Sequence, residues 1–193
     1  MFKRKQPLSL RLWHWANALT ISALFLTVIL RETFLNGKDN KKFLLEKAAE
    51  VGAVLTEEQA RHLARALMNQ MWQWHPIIGF VAIALLLFRG LIYFQHRKSP
   101  RSNEDKPLQY KLVKASHKMF YVFLGYMGIS GMMMYWEESL HIPENFVHLL
   151  KESHEALLWF FVVFTILHIV GAVRAEQTPE DRGIISNMIN GGE

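Results

Sequence analysis

The sequence predicts an all-α membrane protein, a bundle of four transmembrane helices. Three observations carry that prediction. Apolar residues make up 51% of the 193, and they gather in four blocks separated by charged segments. Each block is about as long as the ~17–25 residues a helix needs to cross the hydrocarbon core. Within "HPIIGFVAIALLLFRGLIYF" no polar face recurs, whereas a helix on the surface of a soluble core keeps one. A soluble all-α protein with long core helices is the competing architecture, and it explains the third observation poorly.

The first helix is expected at about residues 12–31. Its basic start and apolar run are also those of a signal peptide. No small-residue cleavage site follows, because the run ends in "LRETFLNG", so the helix is read as retained. Trp13 and Trp15 in "LWHWAN" stand where an interfacial aromatic belt belongs. A helical insertion follows at about 41–72. Thr56 and Gln59 have the spacing of a capping box, and Ala60, Leu63, Ala64, Leu67, Met68 and Met71 recur at helical intervals. That is an amphipathic helix in the outer loop between helices one and two, with a shorter helix around 41–51 ahead of it.

The second helix is expected at about 74–96, and "HRKSPRSNEDKPLQYK" after it reads as a charged loop. The third, about 112–136, carries Gly125, Gly128 and Gly131, spaced to let a neighbouring helix or a flat cofactor approach its backbone. The acidic connection "EESLHIPENFVHLLKE" leads to the fourth helix at about 153–174 and a polar tail. The whole chain, 1–193, reads as a single domain.

Lysine and arginine placement sets the orientation. Lys3, Arg4, Lys5 and Arg11 precede helix one. Arg97, Lys98, Arg101, Lys106, Lys111, Lys114 and Lys118 lie between helices two and three. The third connection has only Lys151 against Glu137, Glu138, Glu144 and Glu152. Both termini and the second connection are therefore expected on the cytoplasmic side. The net charge of +5 is a topology signal and calls for no nucleic acid; the surrounding lipid is the partner it implies.

The nine histidines sort by depth. His14 lies at the cytoplasmic end of helix one and His75 at the outer end of helix two. His154 and His168 lie at the outer and inner ends of helix four. The last two are fourteen residues apart, close to four whole turns and about 21 Å along the axis, so both project from nearly one face. His14 can meet His168 on the inner side, and His75 can meet His154 on the outer side. A neutral imidazole is a good haem-iron ligand, and two of them on opposite helices clamp a porphyrin inside a bundle. The chain has no cysteine. That excludes thiolate-held clusters and covalent haem attachment, so two non-covalent haems b are expected.

Two readings compete. Single histidines at helix ends are often interfacial packing residues, but four in two depth-matched pairs tell against this. A zinc site would want three or four ligands at one depth, and only Glu155 beside His154 offers help there. Arg89 follows His75 by fourteen residues and is level with the inner pair, where it suits a haem propionate; Arg11 is a competitor for that role, and snorkelling to the surface is the plain alternative for Arg89. His117 at the same level suits a propionate or water, and is not expected on the iron.

"RLWHWANA", "WHPIIG", "KASHKMFYVFLGYMGISGMMM" and "SHEALLWFFVVFTILHIVGA" together resemble the bacterial di-haem cytochrome b561 family, which includes the b subunits of nickel–iron hydrogenases. The resemblance covers about 7–174. It implies His14 with His168 and His75 with His154 as axial ligands, in a multi-pass protein of the bacterial inner membrane. It also implies electron transfer to or from quinone, in the respiratory chain, with a periplasmic redox subunit or c-type cytochrome as partner. One branch resembles superoxide oxidase, which makes a stand-alone superoxide:ubiquinone oxidoreductase the alternative. Lys38, Lys41, Lys42, Arg61 and Arg65 could then steer anions on the outer side. The outer insertion is longer than in the smallest members of the family.

Overall fold

The computed structural model describes residues 6–95, 108–179 and 182–191. Among them the chain is helical, without strands: α1 Leu8–Glu32, α2 Gly37–Glu50, α3 Glu57–Trp72, α4 Trp74–Gln95, α5 Leu108–Tyr135, α6 Glu144–Gln177 and α7 Ile184–Ile189. His96 and most of the basic loop expected after it, like Lys3, Arg4 and Lys5, lie outside the described residues.

Three helical stretches are long and apolar enough to cross a membrane: Leu8–Glu32, Glu57–Gln95 and Glu144–Gln177. The 28-residue α5 is not among them. Its three glycines, its serines and its tyrosines dilute the hydropathy of an otherwise apolar run. Beside a small apolar core that includes Trp13, Ile92, Phe120 and Phe161, burial departs from that of a water-soluble protein. The small polar side chains Asn17, Thr20, Thr27 and Ser130 are buried, while Leu19, Leu87, Trp159 and Leu167 are exposed. In water that exposure would be costly; against lipid tails it is not, and close helix packing then falls to small residues.

Two parts of the chain are each compact: Ala18–Val81, and the residues up to Asn17 with those from Ala82 on. In the first part α2 packs on α3. Asn36 caps α2 by accepting from Lys38 N, and Lys41 Nζ reaches Glu57 at 2.6 Å. The expected capping box is present: Thr56 Oγ1 accepts from Gln59 N, and Gln59 Oε1 accepts from Thr56 N. The amphipathic stripe of α3 is narrower than its spacing suggests. Ala60 and Ala64 are fully buried, whereas Leu63 and Leu67 stay exposed. Two alanines four apart allow a close approach that leucines beside them cannot share. α3 runs almost directly into α4, with Gln73 alone between them. Pro76 lies four residues after Trp72; its ring clashes with that carbonyl and it lacks the N–H of the next helical bond, so the first helix stops there.

In the second part α6 packs on both α5 and α7. α6 starts at Glu144, well before the expected 153, with Pro143 at its N-cap position. The charges of "ENFVHLLKE" suggest a loop, yet they sit on solvated helical faces. His148 faces Glu152 at 3.5 Å and Lys151 faces Glu155 at 4.0 Å, each four residues apart. The polar tail also holds a helix: both Glu176 carboxylate oxygens accept from its N-terminal end, from Gly183 N and Ile185 N at 3.0 Å. Its other end meets α1. Arg11 donates to the Ile189 carbonyl, and Trp15 Nε1 donates to that of Met188 at 3.1 Å.

The α5 glycines divide by role. A Cβ on Gly128 would fall 2.7 Å from Ile83 Cγ1, and one on Gly125 would lie 3.7 Å from Leu86 Cδ2. These two admit α4. A Cβ on Gly131 would meet the His154 ring at 3.5 Å.

Candidate cofactor site

Exposure separates the histidines. His62, His141 and His148 are exposed, whereas His14, His75, His117, His154 and His168 are half-buried within long helices. The four residues singled out as ligands are all in the second group, together with His117.

In the part that contains both ends of the chain, α1 and α6 bring His14 and His168 together. Their ring centres are 6.0 Å apart with planes at 45°. Metal–imidazole bonds of about 2 Å place two rings on opposite sides of one ion with their centres roughly 6 Å apart. The buried Nδ1 of His14 meets no protein hydrogen-bond partner. The pair lies against aromatic side chains. Phe164 stacks on His168 at 5.7 Å and on Phe120 at 4.7 Å, and Phe161 is buried against Phe120.

His117 is a third ring at this level, 5.4 Å from His168 and nearly perpendicular to it. Its Nδ1 donates to the Val113 carbonyl of its own helix at 2.7 Å. No group of three or more His, Asp or Glu side chains among the described residues has the geometry to hold a metal ion. A bare cation would find fewer than three such protein ligands here. A metal already held by four macrocycle nitrogens needs only the two that His14 and His168 offer, so the residues fit a haem.

Arg89 is turned inward. Its Nε donates to Tyr121 OH at 3.2 Å, and its guanidinium lies over Trp13 at 5.4 Å. Trp13 is itself buried and donates to the Leu85 carbonyl at 2.7 Å, so it packs inside rather than in an interfacial belt. Trp15, by contrast, is 46% exposed. Arg11, the other candidate for a propionate, is engaged by the α7 carbonyl already described.

His154 belongs to the same part. Its Nδ1 lies 2.9 Å from the buried Ser130 hydroxyl of α5. His75 belongs to the other part, where its Nδ1 lies 2.7 Å from the Thr27 hydroxyl of α1. Trp72 stacks on the His75 ring, at 4.6 Å and 6° between planes, and Arg31 lies 4.3 Å over Trp72. Thr27, Ser130 and Trp72 did not stand out in the sequence. The signal for the first two is a small hydroxyl residue in the middle of an apolar run, which one chain presents in many places.

The family model described as prokaryotic cytochrome b561 matches residues 5–191. No curated protein and no solved structure matches.

Proposed function

The chain belongs to the prokaryotic cytochrome b561 family, and from that premise we propose a di-haem b-type cytochrome that carries electrons between a donor outside the membrane and the quinone pool. Membership itself makes it a membrane protein that uses b-type haem for electron transfer. The observation that carries the finer reading is the His14–His168 pair at a 6.0 Å ring separation, on two helices that are long and apolar enough to span.

In this proposal α5 is the fourth crossing, both termini lie in the cytoplasm, and the membrane is the bacterial inner membrane. His14 and His168 ligate the inner haem; His75 and His154 ligate the outer one. Each haem supplies a one-electron couple. The chain's own residues hold and shield that couple. His14 with His168, and His75 with His154, would each supply two imidazole nitrogens to hold an iron that takes its other four from the macrocycle, which suits electron transfer rather than oxygen binding. Phe120, Phe161 and Phe164 keep water from His168. Arg89 presents a cation at the inner level, where a propionate needs one. The partner is a periplasmic redox subunit or c-type cytochrome of a respiratory oxidoreductase.

A reduced-minus-oxidised spectrum of the purified protein, with a haem-to-protein ratio, tests the reading. A low-spin b-type signal at two haems per chain is expected, and a ratio of one would remove the second site.

A second reading, a stand-alone superoxide:ubiquinone oxidoreductase, draws on the exposed Lys38, Lys42, Arg61 and Arg65 of α2 and α3. Such cations attract a small anion; Lys41 is already committed to Glu57. Quinone reduction by superoxide in the purified chain alone supports this second reading, and its absence supports the subunit.

A further inference from the structure

Two of the proposed ligands share a device that the other two lack. Thr27 is buried in α1, and its hydroxyl donates to the Leu24 carbonyl one turn back at 2.7 Å. A hydroxyl has one proton, and that bond uses it. The second contact of the same oxygen, 2.7 Å to His75 Nδ1, is therefore an N–H donating to the oxygen. The reverse assignment would leave two oxygens facing each other at 2.7 Å with no proton between them.

Ser130 of α5 repeats the arrangement independently. Its hydroxyl donates to the Met127 carbonyl at 3.2 Å, and the same oxygen lies 2.9 Å from His154 Nδ1. A helical hydroxyl that spends its proton on its own backbone is left as an acceptor, and a neutral imidazole facing it then donates from Nδ1 and keeps its lone pair on Nε2. Thr27, with the shorter backbone bond, makes the stronger case of the two. His14 provides the contrast, because its buried Nδ1 has no protein acceptor.

We propose that Thr27 and Ser130 are positioning residues that hold His75 and His154 as Nδ1–H tautomers, aim their Nε2 lone pairs at iron, and lower the midpoint potential of the haem those histidines ligate. The inference rests on the reading of His75 and His154 as axial ligands. Its physical basis is that an acceptor on the far N–H fixes the ring's tautomer and orientation and makes the ligating nitrogen more basic. A more basic ligand favours the ferric state, which bears the extra positive charge.

The test is a potentiometric titration of the haem-loaded protein, with haem counted per chain, in Thr27→Val, Ser130→Ala and Thr27→Ser. Valine keeps the shape of threonine and removes the acceptor; serine keeps the acceptor. In Thr27→Val, and separately in Ser130→Ala, the midpoint of one haem should rise while that of the other stays put. Thr27→Ser should titrate like the wild type. Selective loss of one haem in Thr27→Val, restored in Thr27→Ser, would carry the same meaning. Either variant suffices should the other fail to accumulate. Two retained haems with unchanged midpoints, or an equal shift of both, overturns the inference. A wild-type protein with fewer than two haems per chain overturns the underlying reading instead, and does so before any variant is made.

Discussion

Replacing Gly128 by alanine puts a methyl group where α4 already stands. The new Cβ would lie 2.7 Å from Ile83 Cγ1 and 3.2 Å from Cδ1, both well inside van der Waals contact. Ile83 cannot swing away cheaply, since a β-branched side chain in a helix has essentially one χ1 rotamer. Overpacking of this kind costs about 1–3 kcal/mol. Alanine returns up to about 1 kcal/mol through its higher helix propensity. The net expectation is a loss of about 1 kcal/mol, which for a chain of this length lowers the melting temperature by roughly 2–4 °C. Gly125→Ala is the internal control. Its Cβ would sit at an ordinary 3.7 Å from Leu86, so stability should hold or rise. Ile83→Ala in the Gly128→Ala background should destabilise by less than the sum of the two single changes. Thermal unfolding in detergent, followed by tryptophan fluorescence, reads all three. Equal effects at the two glycines, or strict additivity with Ile83, would refute the claim that Gly128 exists to admit α4.

Three further outcomes follow from the proposed sites. His168→Ala should bring the haem content from two per chain to one, measured as the pyridine haemochrome against protein; loss of both would mean that the two sites are not separable. His117→Ala should keep both haems, since the reading assigns His117 no iron; a missing haem would make His117 a ligand, a role that its Nδ1 bond to the Val113 carbonyl leaves open to Nε2. Thr56→Ala should remove one half of the capping box and cost α3 about 1 kcal/mol, seen as faster amide hydrogen exchange over its first turn with the haem spectrum unchanged.

Much of the fold was legible because its cause is local. Apolar runs of spanning length and a capping box at Thr56 and Gln59 act within a few residues. The elements that the sequence concealed depend on distant partners. α7 is a six-residue, glycine-flanked segment and becomes a helix between the Glu176 carboxylate at one end and Arg11 and Trp15 at the other. The early start of α6 was hidden by charges that suit a solvated helix as well as a loop. Trp13 and Trp15 are alike in sequence, yet one is buried on the Leu85 carbonyl and the other reaches α7.

The histidines divide in the same way. Chain position alone puts His154 and His168 on one face of one helix, four turns apart, because helical periodicity is a property of the backbone. The expected topology of the helices, not that period, is what matches His14 and His75 to them by depth. The sequence could not say that His117 would come as near to His168 as His14 does, because that is decided by how α5 packs on α6. Nor could it say that Thr27 and Ser130, among many small polar residues, would be the ones to meet a histidine. A hydroxyl's partner is chosen across the space between helices, and only tertiary packing brings those two oxygens within hydrogen-bond reach of an imidazole.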